Sequence, residues 1–324
     1  MKWLQALAAS LAVFFMSPTA ARVEEWPSRP VRVIVPFGAG GSGDAIARVL
    51  AEHLAATFGQ QFVIENRTGA GGAIGAKAIA TAPPDGYTIG ITNLSVLSLA
   101  PVINPGIGYD PSGDFSHIAY VADAPVVLAA NSKTGVTSLN KFVKYATERK
   151  AFTFASSGVG SDGHLMGEAI AASLNLAIEH VPYKSTSQAL IDVVAGHVPF
   201  CTFTLSSTAP FLRDGTLTAI AVTTEERLED FPTLPTFREL DHSELQGTTW
   251  FSVSGPAGLP KDVIGKLNAR INQIVTSPEV ESRLRRDGFQ VKTLSPAAFA
   301  NFVESENKRW LVLIRRAGLV GKGS

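Results

Sequence analysis

The chain has 324 residues, enough for two ordinary domains or one large one, and 45% hydrophobic against 17% charged residues allows a sizeable core. Its 28 Lys and Arg balance 28 Asp and Glu, which gives no support to nucleic-acid binding, where a basic face is expected. The single cysteine, Cys201, excludes an intramolecular disulfide and, inside the run F-C-T-F-T-L, reads as a buried core residue.

The N-terminus carries Lys2, an apolar run from Trp3 to Met16, and the small residues Ser17-Pro18-Thr19-Ala20-Ala21. This is the secretory signal pattern, with cleavage expected near Ala21. The run is shorter than the roughly 20 residues a membrane span needs, and no cysteine near the cleavage point invites a lipid anchor. Removing residues 1–21 leaves 27 Lys and Arg against 28 Asp and Glu. A soluble, exported protein is expected, periplasmic in location.

Residues 31–37 form a short continuous apolar run, as in a strand covered on both faces. After a glycine-rich stretch, Ile46, Val49, Leu50, Leu54 and Phe58 recur at helical spacing, and Gly59 stands where a C-cap glycine belongs. A strand over 61–66, a small-residue helix over 73–80 and a strand over 87–93 complete a βαβαβ pattern, the mark of a parallel sheet with covering helices. The plan then repeats. Strands are predicted at 126–131, 152–156, 178–183, 200–205 and 217–223, with helices after Ser138, near His164 and over 187–195. A strand at 250–253 precedes helices over 263–275, 278–287 and 296–316. The tail after residue 255 is expected to return to the first unit, with hinges near 121–126 and 245–250. The basic cluster Arg283, Arg285 and Arg286 reads as a solvated helix face.

Each unit carries a G-x-G-x-x-G between a strand and a helix. The first is V-P-F-G-A-G-G-S-G-D (35–44); the second is A-S-S-G-V-G-S-D-G-H (155–164). Either alone matches a dinucleotide fingerprint, and Glu65 even stands about where a ribose-binding carboxylate would. Export to a compartment where free NAD is not an ordinary substrate, and the duplication itself, argue against that reading. For one loop alone, a tight turn before a capped helix is the better reading. Two such loops facing each other across a cleft would clamp one anion between two sets of backbone N–H groups. In the first, Ser42 reads as the N-cap and Asp44 as a brace of the loop or the opposite lobe. In the second, Ser156, Ser157 and Ser161 add hydroxyls, and His164 a ring donor. No G-x-S-x-G elbow occurs, and the six histidines show no metal-ligand spacing. No cofactor or metal is called for.

With these residues laid out, the sequence resembles the Bug family of extracytoplasmic solute receptors, which serve tripartite tricarboxylate transporters. The resemblance runs from about Trp26 to Leu319, through W-P-S-R-P-V-R-V-I-V-P-F-G-A-G-G-S-G-D (26–44), V-I-E-N-R-T-G-A-G-G-A-I-G-A (63–76), P-D-G-Y-T-I (84–89), Y-D-P-S-G-D-F (109–115), S-S-G-V-G-S-D-G-H-L (156–165), V-P-Y-K (181–184), L-R-D-G-T-L-T-A-I-A-V-T (212–223) and W-F-S-V-S-G-P-A-G-L-P (250–260). It implies an α/β, two-lobed Venus flytrap of type II-like plan, each lobe a mainly parallel sheet flanked by helices. Lobe 1 would comprise 22–125 plus 247–324, and lobe 2 residues 126–246. A small organic acid or amino acid would be held between the loops and presented to transporter membrane subunits by a monomeric, non-catalytic receptor. The implied contacts are Phe37, Ala39, Gly40, Ser42, Asp44, Asn93 and Ser95 from one lobe. From the other come Ser156, Ser157, Gly160, Ser161, His164 and Thr204. The chain departs from the family at Gly43, usually Thr; at Thr68, usually Pro; at Ser185, usually Gly; and at Pro199, usually acidic. The last two bear on the ligand's distal contacts. The alternatives are a secreted enzyme using the same cleft, which the missing nucleophile–base pair weakens, and a receptor feeding a sensor.

Overall fold

The computed structural model describes residues 25–104, 106–149, 152–316 and 320–321; the leader read in residues 1–21 lies outside them. The apolar run becomes β1 (Val31–Val35), parallel to β2 (Phe62–Asn66) on one side and β3 (Thr88–Asn93) on the other. Between them run α1 (Ser42–Phe58) and α2 (Ala73–Ala80). Gly59 ends α1 in the left-handed conformation (φ 67°), its N–H returning to the Ala55 carbonyl. A wide turn at Ser95–Leu99 runs into α3 (Ala100–Ile103).

The largest difference from the sequence reading is β4 (Phe115–Asn131), which starts at Phe115 rather than at Val126. Its stretch 115–125 contains Asp123 and Pro125, which break the strand signal. It is nonetheless held antiparallel along β9 (Thr248–Pro256). Its continuation, 126–131, lies antiparallel between β7 (Phe200–Thr204) and β8 (Leu217–Val222). One strand therefore passes from the first sheet into the second. The expected parallel order holds for β2-β1-β3 and again for β5 (Phe152–Ser156) between β6 (Ile178–Pro182) and β7. The crossing strands β4 and β9 add antiparallel neighbours, so each sheet is mixed.

The second sheet is covered by α4 (Leu139–Glu148) and α5 (Asp162–Ser173) on one face. On the other lie α6 (Thr186–Ala195) and α7 (Leu205–Arg213). The sequence reading missed α7, because three consecutive hydroxyl residues and Pro210 look like a break. Cys201 is fully buried here among Ala129, Val193 and Phe203, and burial pushes its thiol pKa up. The tail forms α8 (Lys261–Val275), α9 (Pro278–Arg286), the short β10 (Gln290–Val291) and α10 (Pro296–Arg316). Val263, Leu267, Val280 and Leu284 join the core over α1, and Phe299 and Val303 pack on Tyr120 and Trp250 at the opposite face of the first sheet. Among the described residues no helix is long and apolar enough to cross a membrane.

Candidate ligand cleft

The glycine loops leave the C-terminal ends of β1 and β5, and they share one internal wiring. Gly40 (φ 78°) and Gly160 (φ 81°) both take the left-handed conformation that glycine adopts without steric cost. The next N–H turns back in each: Gly41 to the Gly38 carbonyl at 3.2 Å, Ser161 to the Gly158 carbonyl at 3.1 Å. The Gly40 N–H donates to Asp44 Oδ2 at 3.0 Å, and the Gly160 N–H to His164 Nδ1 at 3.3 Å. Asp44 and His164 thus occupy equivalent places, each bracing its own loop. Asp44 also accepts from Arg48 Nε at 2.7 Å and Asn66 Nδ2 at 3.0 Å. Burial alone would raise its pKa, but these hydrogen bonds hold the carboxyl below its usual range. Burial keeps His164 neutral below its ordinary pKa; with Nδ1 accepting, Nε2 faces Glu168 at 3.6 Å.

The helix starts differ. Ser161 caps α5, its hydroxyl accepting from the His164 N–H at 3.2 Å. The cap of α1 is Gly41, which offers no side chain; Ser42, read as the cap, is the first helical residue. Its hydroxyl turns across to the other lobe instead, 2.5 Å from Thr204 Oγ1, 2.5 Å from Ser206 Oγ and 2.8 Å from Ser207 Oγ. The first-turn N–H groups of α1 therefore have no side-chain acceptor, and they carry the positive end of a 17-residue helix dipole.

The remaining predicted residues surround this junction. Asn93 is buried and accepts from the Val96 N–H at 3.2 Å, while Ser95 Oγ accepts from the Asp162 N–H across the lobes at 3.1 Å. Ser156 Oγ accepts from the Gly158 N–H and lies 2.6 Å from His180 Nε2. His180, on β6, stacks on His164 at 4.2 Å and on Phe154 at 4.9 Å. Burial, then the charge of His164, pushes its pKa down to about 4. The Phe37 ring covers Gly43, where an added Cβ would lie 2.7 Å from Cδ2; that contact accounts for glycine at this position. Ala39 accepts from Ser187 Oγ at 2.5 Å. A Cβ on Gly38 would lie 2.5 Å from Ser185 Cβ, and one on Gly71 would lie 2.8 Å from the Val159 carbonyl. The lobes are shut on one another.

A cavity of about 270 Å³ remains between them, lined by Gly71, Ile103, Asn104, Ser157, Gly160 and Lys184 among others. Of the predicted contacts only Ser157 and Gly160 reach it; Ala39, Gly40 and Asp44 border a separate hollow with Arg48 and Arg283. The walls from Ala70, Gly71, Ala100, Ile103 and Ile107 were missed, because small and aliphatic residues carry no chemical signal. Among the described residues no group of three or more His, Cys, Asp or Glu could hold a metal ion.

Residues 46–319 match the family described as the tripartite tricarboxylate transporter family receptor. The chain is 33% identical to protein BugT of Bordetella pertussis, over 91% of each chain. The structure of the periplasmic binding protein BugD is similar at a TM-score of 0.88 and 31% identity, covering 91% of this chain and 100% of that one. R. palustris Rpa4515 with adipate gives 0.89 and 32%, covering 92% and 100%. The fold is that of a two-lobed periplasmic binding protein.

Proposed function

Because the chain belongs to the tripartite tricarboxylate transporter receptor family, we propose that it is a non-catalytic receptor that closes on a small carboxylate and presents it to that family's membrane subunits. Receptors of this family are periplasmic, and the signal pattern in residues 1–21 supports export of this one. The lobes divide after residue 125 and after residue 246. The observation that carries the reading is the N-terminus of α1, which has no side-chain cap and whose buried Ser42 hydroxyl meets those of buried Thr204 and Ser207 and half-buried Ser206. Backbone N–H groups at a helix start bind an anion without a cationic side chain. The adipate complex of a 32% identical relative supports a carboxylate as that anion.

In this reading Ser42 and Thr204 separate slightly to admit the carboxylate, with Phe37, Ala39, Asn93 and Ser95 at its near side and Ser156, Ser157 and Ser161 at its far side. Gly40, Gly160, Asp44 and His164 hold the loops in shape. A ligand touching both lobes only when they are shut favours that state by its differential affinity. The test is a thermal-shift and calorimetric screen of the mature protein against mono-, di- and tricarboxylates, amino acids, NAD and neutral sugars. A ligand at 100 times its Kd adds about 2.7 kcal/mol of stability. A shift confined to carboxylates is expected; stabilisation by NAD or sugars, with none from any acid, would overturn the reading.

A further inference from the structure

A cavity of about 380 Å³ lies between α5 on the second sheet, α10 on the first, and the segment 245–249 that leads into β9. It shares no lining residue with the interlobe cavity, and none of the cleft contacts expected from the sequence lines it. Its walls are mostly apolar, with Leu99, Leu165, Leu245, Trp310 and Ile314 among them, and the exposed Ala169 stands at its mouth. Three carboxylates share that lining, Asp162, Glu168 and Glu244, against one cation, Arg309, which already pairs with Glu306 at 3.3 Å. Glu244 is engaged by the Ser173 hydroxyl and His242, and Glu168 faces His164. Among the described residues Asp162 has no cationic partner, and burial raises the pKa of its carboxyl against the hydrogen bonds around it. Two further polar groups in the lining are left over. The buried Thr249 hydroxyl has no partner at hydrogen-bond geometry, although it lies near enough to Asp162 to steady the carboxylate, and the buried Gln246 Nε2 has none at all. Native folds leave few buried polar groups unpaired, so each asks for an explanation.

We propose that this cavity is a second ligand site, for a small organic ammonium ion with an apolar body, such as an arylalkylamine. The ammonium sits on Asp162, and the apolar part lies on the leucines and Trp310. The site stands whichever solute the lobes close on. Three carboxylates disfavour an anionic ligand, because a single arginine that is already paired does not offset them. A neutral apolar ligand would leave the Asp162 charge unpartnered in a partly desolvated place, whereas an ammonium gives it a charge-assisted hydrogen bond. Thr249 Oγ1 accepts a second ammonium N–H, and a half-turn of the Gln246 carboxamide places Oε1, an acceptor, where Nε2 now stands. The volume falls at the lower end of the roughly 300–1,000 Å³ of small-molecule sites.

Calorimetry of the mature protein with 2-phenylethylamine and its neutral isostere 2-phenylethanol tests the assignment. The amine should bind roughly tenfold or more tightly than the alcohol, the size of one charge-assisted contact. Asp162→Asn should remove that preference and bring the amine to the Kd of the alcohol. Ala169→Phe, which fills the mouth, should weaken the amine about tenfold or more. Circular dichroism and melting check that both variants fold; should Asp162→Asn fail to, Ala169→Phe decides, since its position is exposed. No binding of the amine by the wild type, or equal binding of amine and alcohol, overturns the proposal. So does an amine preference that survives Asp162→Asn, or an amine Kd that Ala169→Phe leaves unmoved.

Discussion

The three glycines of each loop answer to different forces, and substitution separates them. At Gly160 an added Cβ would meet only Ile103 Cδ1 at 3.7 Å, so its requirement is conformational, set by φ 81°. At Gly163 a Cβ would come within 2.2 Å of the Thr202 carbonyl, where α5 lies directly on β7. Gly160→Ala should cost about 1–2 kcal/mol, the left-handed penalty of an L-residue. Gly163→Ala must push a helix off a strand, and its cost should sit at or above the roughly 1–3 kcal/mol of overpacking. Urea unfolding of both variants measures the order, and a larger loss at Gly160 would contradict it. The need for glycine was legible in the sequence; the use of each N–H was not. Gly40 and Gly160 look like the centre of an anion nest, yet their N–H groups are taken by Asp44 and His164. A side chain four residues on in the chain satisfies them, and the spacing alone does not say which way that side chain turns.

At the scale of elements, the contrast between α1 and α5 makes the site directional. Ser161 closes the start of α5, while Gly41 leaves α1 open. Gly41 has φ −83° and ψ 170°, which any residue adopts. Gly41→Asp should therefore fold, cap α1 and change stability by only a few tenths of a kcal/mol. It should also place a carboxylate where the ligand's belongs and weaken carboxylate binding at least tenfold, roughly 1.4 kcal/mol or more. Retained affinity would move the anion site away from α1. The strand β6 carries a second consequence through His180. Its ordinary pKa of 6.5 falls to about 4 in the fold, so between those values the unfolded chain binds a proton that the folded chain refuses. Stability is full above pH 6.5 and declines as pH falls toward 4; buried His164 adds in the same direction. Half-buried His117, also pushed down to about 4, contributes likewise. Melting temperature against pH should show the combined slope, and His180→Asn should reduce it by its own share without removing it. An equal slope in the variant would locate the titration elsewhere. Helices with clean periodicity and caps, such as α4 behind Ser138, were readable in sequence. The first part of β4 was not, because its pairing with β9 joins residues more than a hundred apart and overrides a weak local signal.

For the whole molecule, closure depends on contacts that no local pattern announces. Along one rim, Arg285 of α9 pairs with Glu229 at 2.8 Å and with Asp230 at 3.7 Å on the other lobe. Arg213 of α7 donates to the Arg286 carbonyl and lies over the Phe231 ring at 5.3 Å. The sequence reading took the basic cluster of α9 for a solvated face. All three arginines are indeed exposed, and Arg285 in addition reaches the carboxylates of the loop after β8. Partners 56 residues apart meet only because the tail packs on the first sheet while the loop after β8 belongs to the second. Exposed ion pairs contribute about 0–1 kcal/mol each and are screened by salt. Arg285→Ala should therefore leave folding intact and open the unliganded protein modestly, seen as a larger radius of gyration by small-angle scattering. Ligand Kd should rise a few-fold, since part of the binding free energy would then be used to shut the lobes. Raising ionic strength should bring the wild type toward the variant in both measurements. If neither moves, the ion pairs accompany closure without holding it, and the hydroxyl shelf around Ser42 is left as the contact that keeps the lobes together.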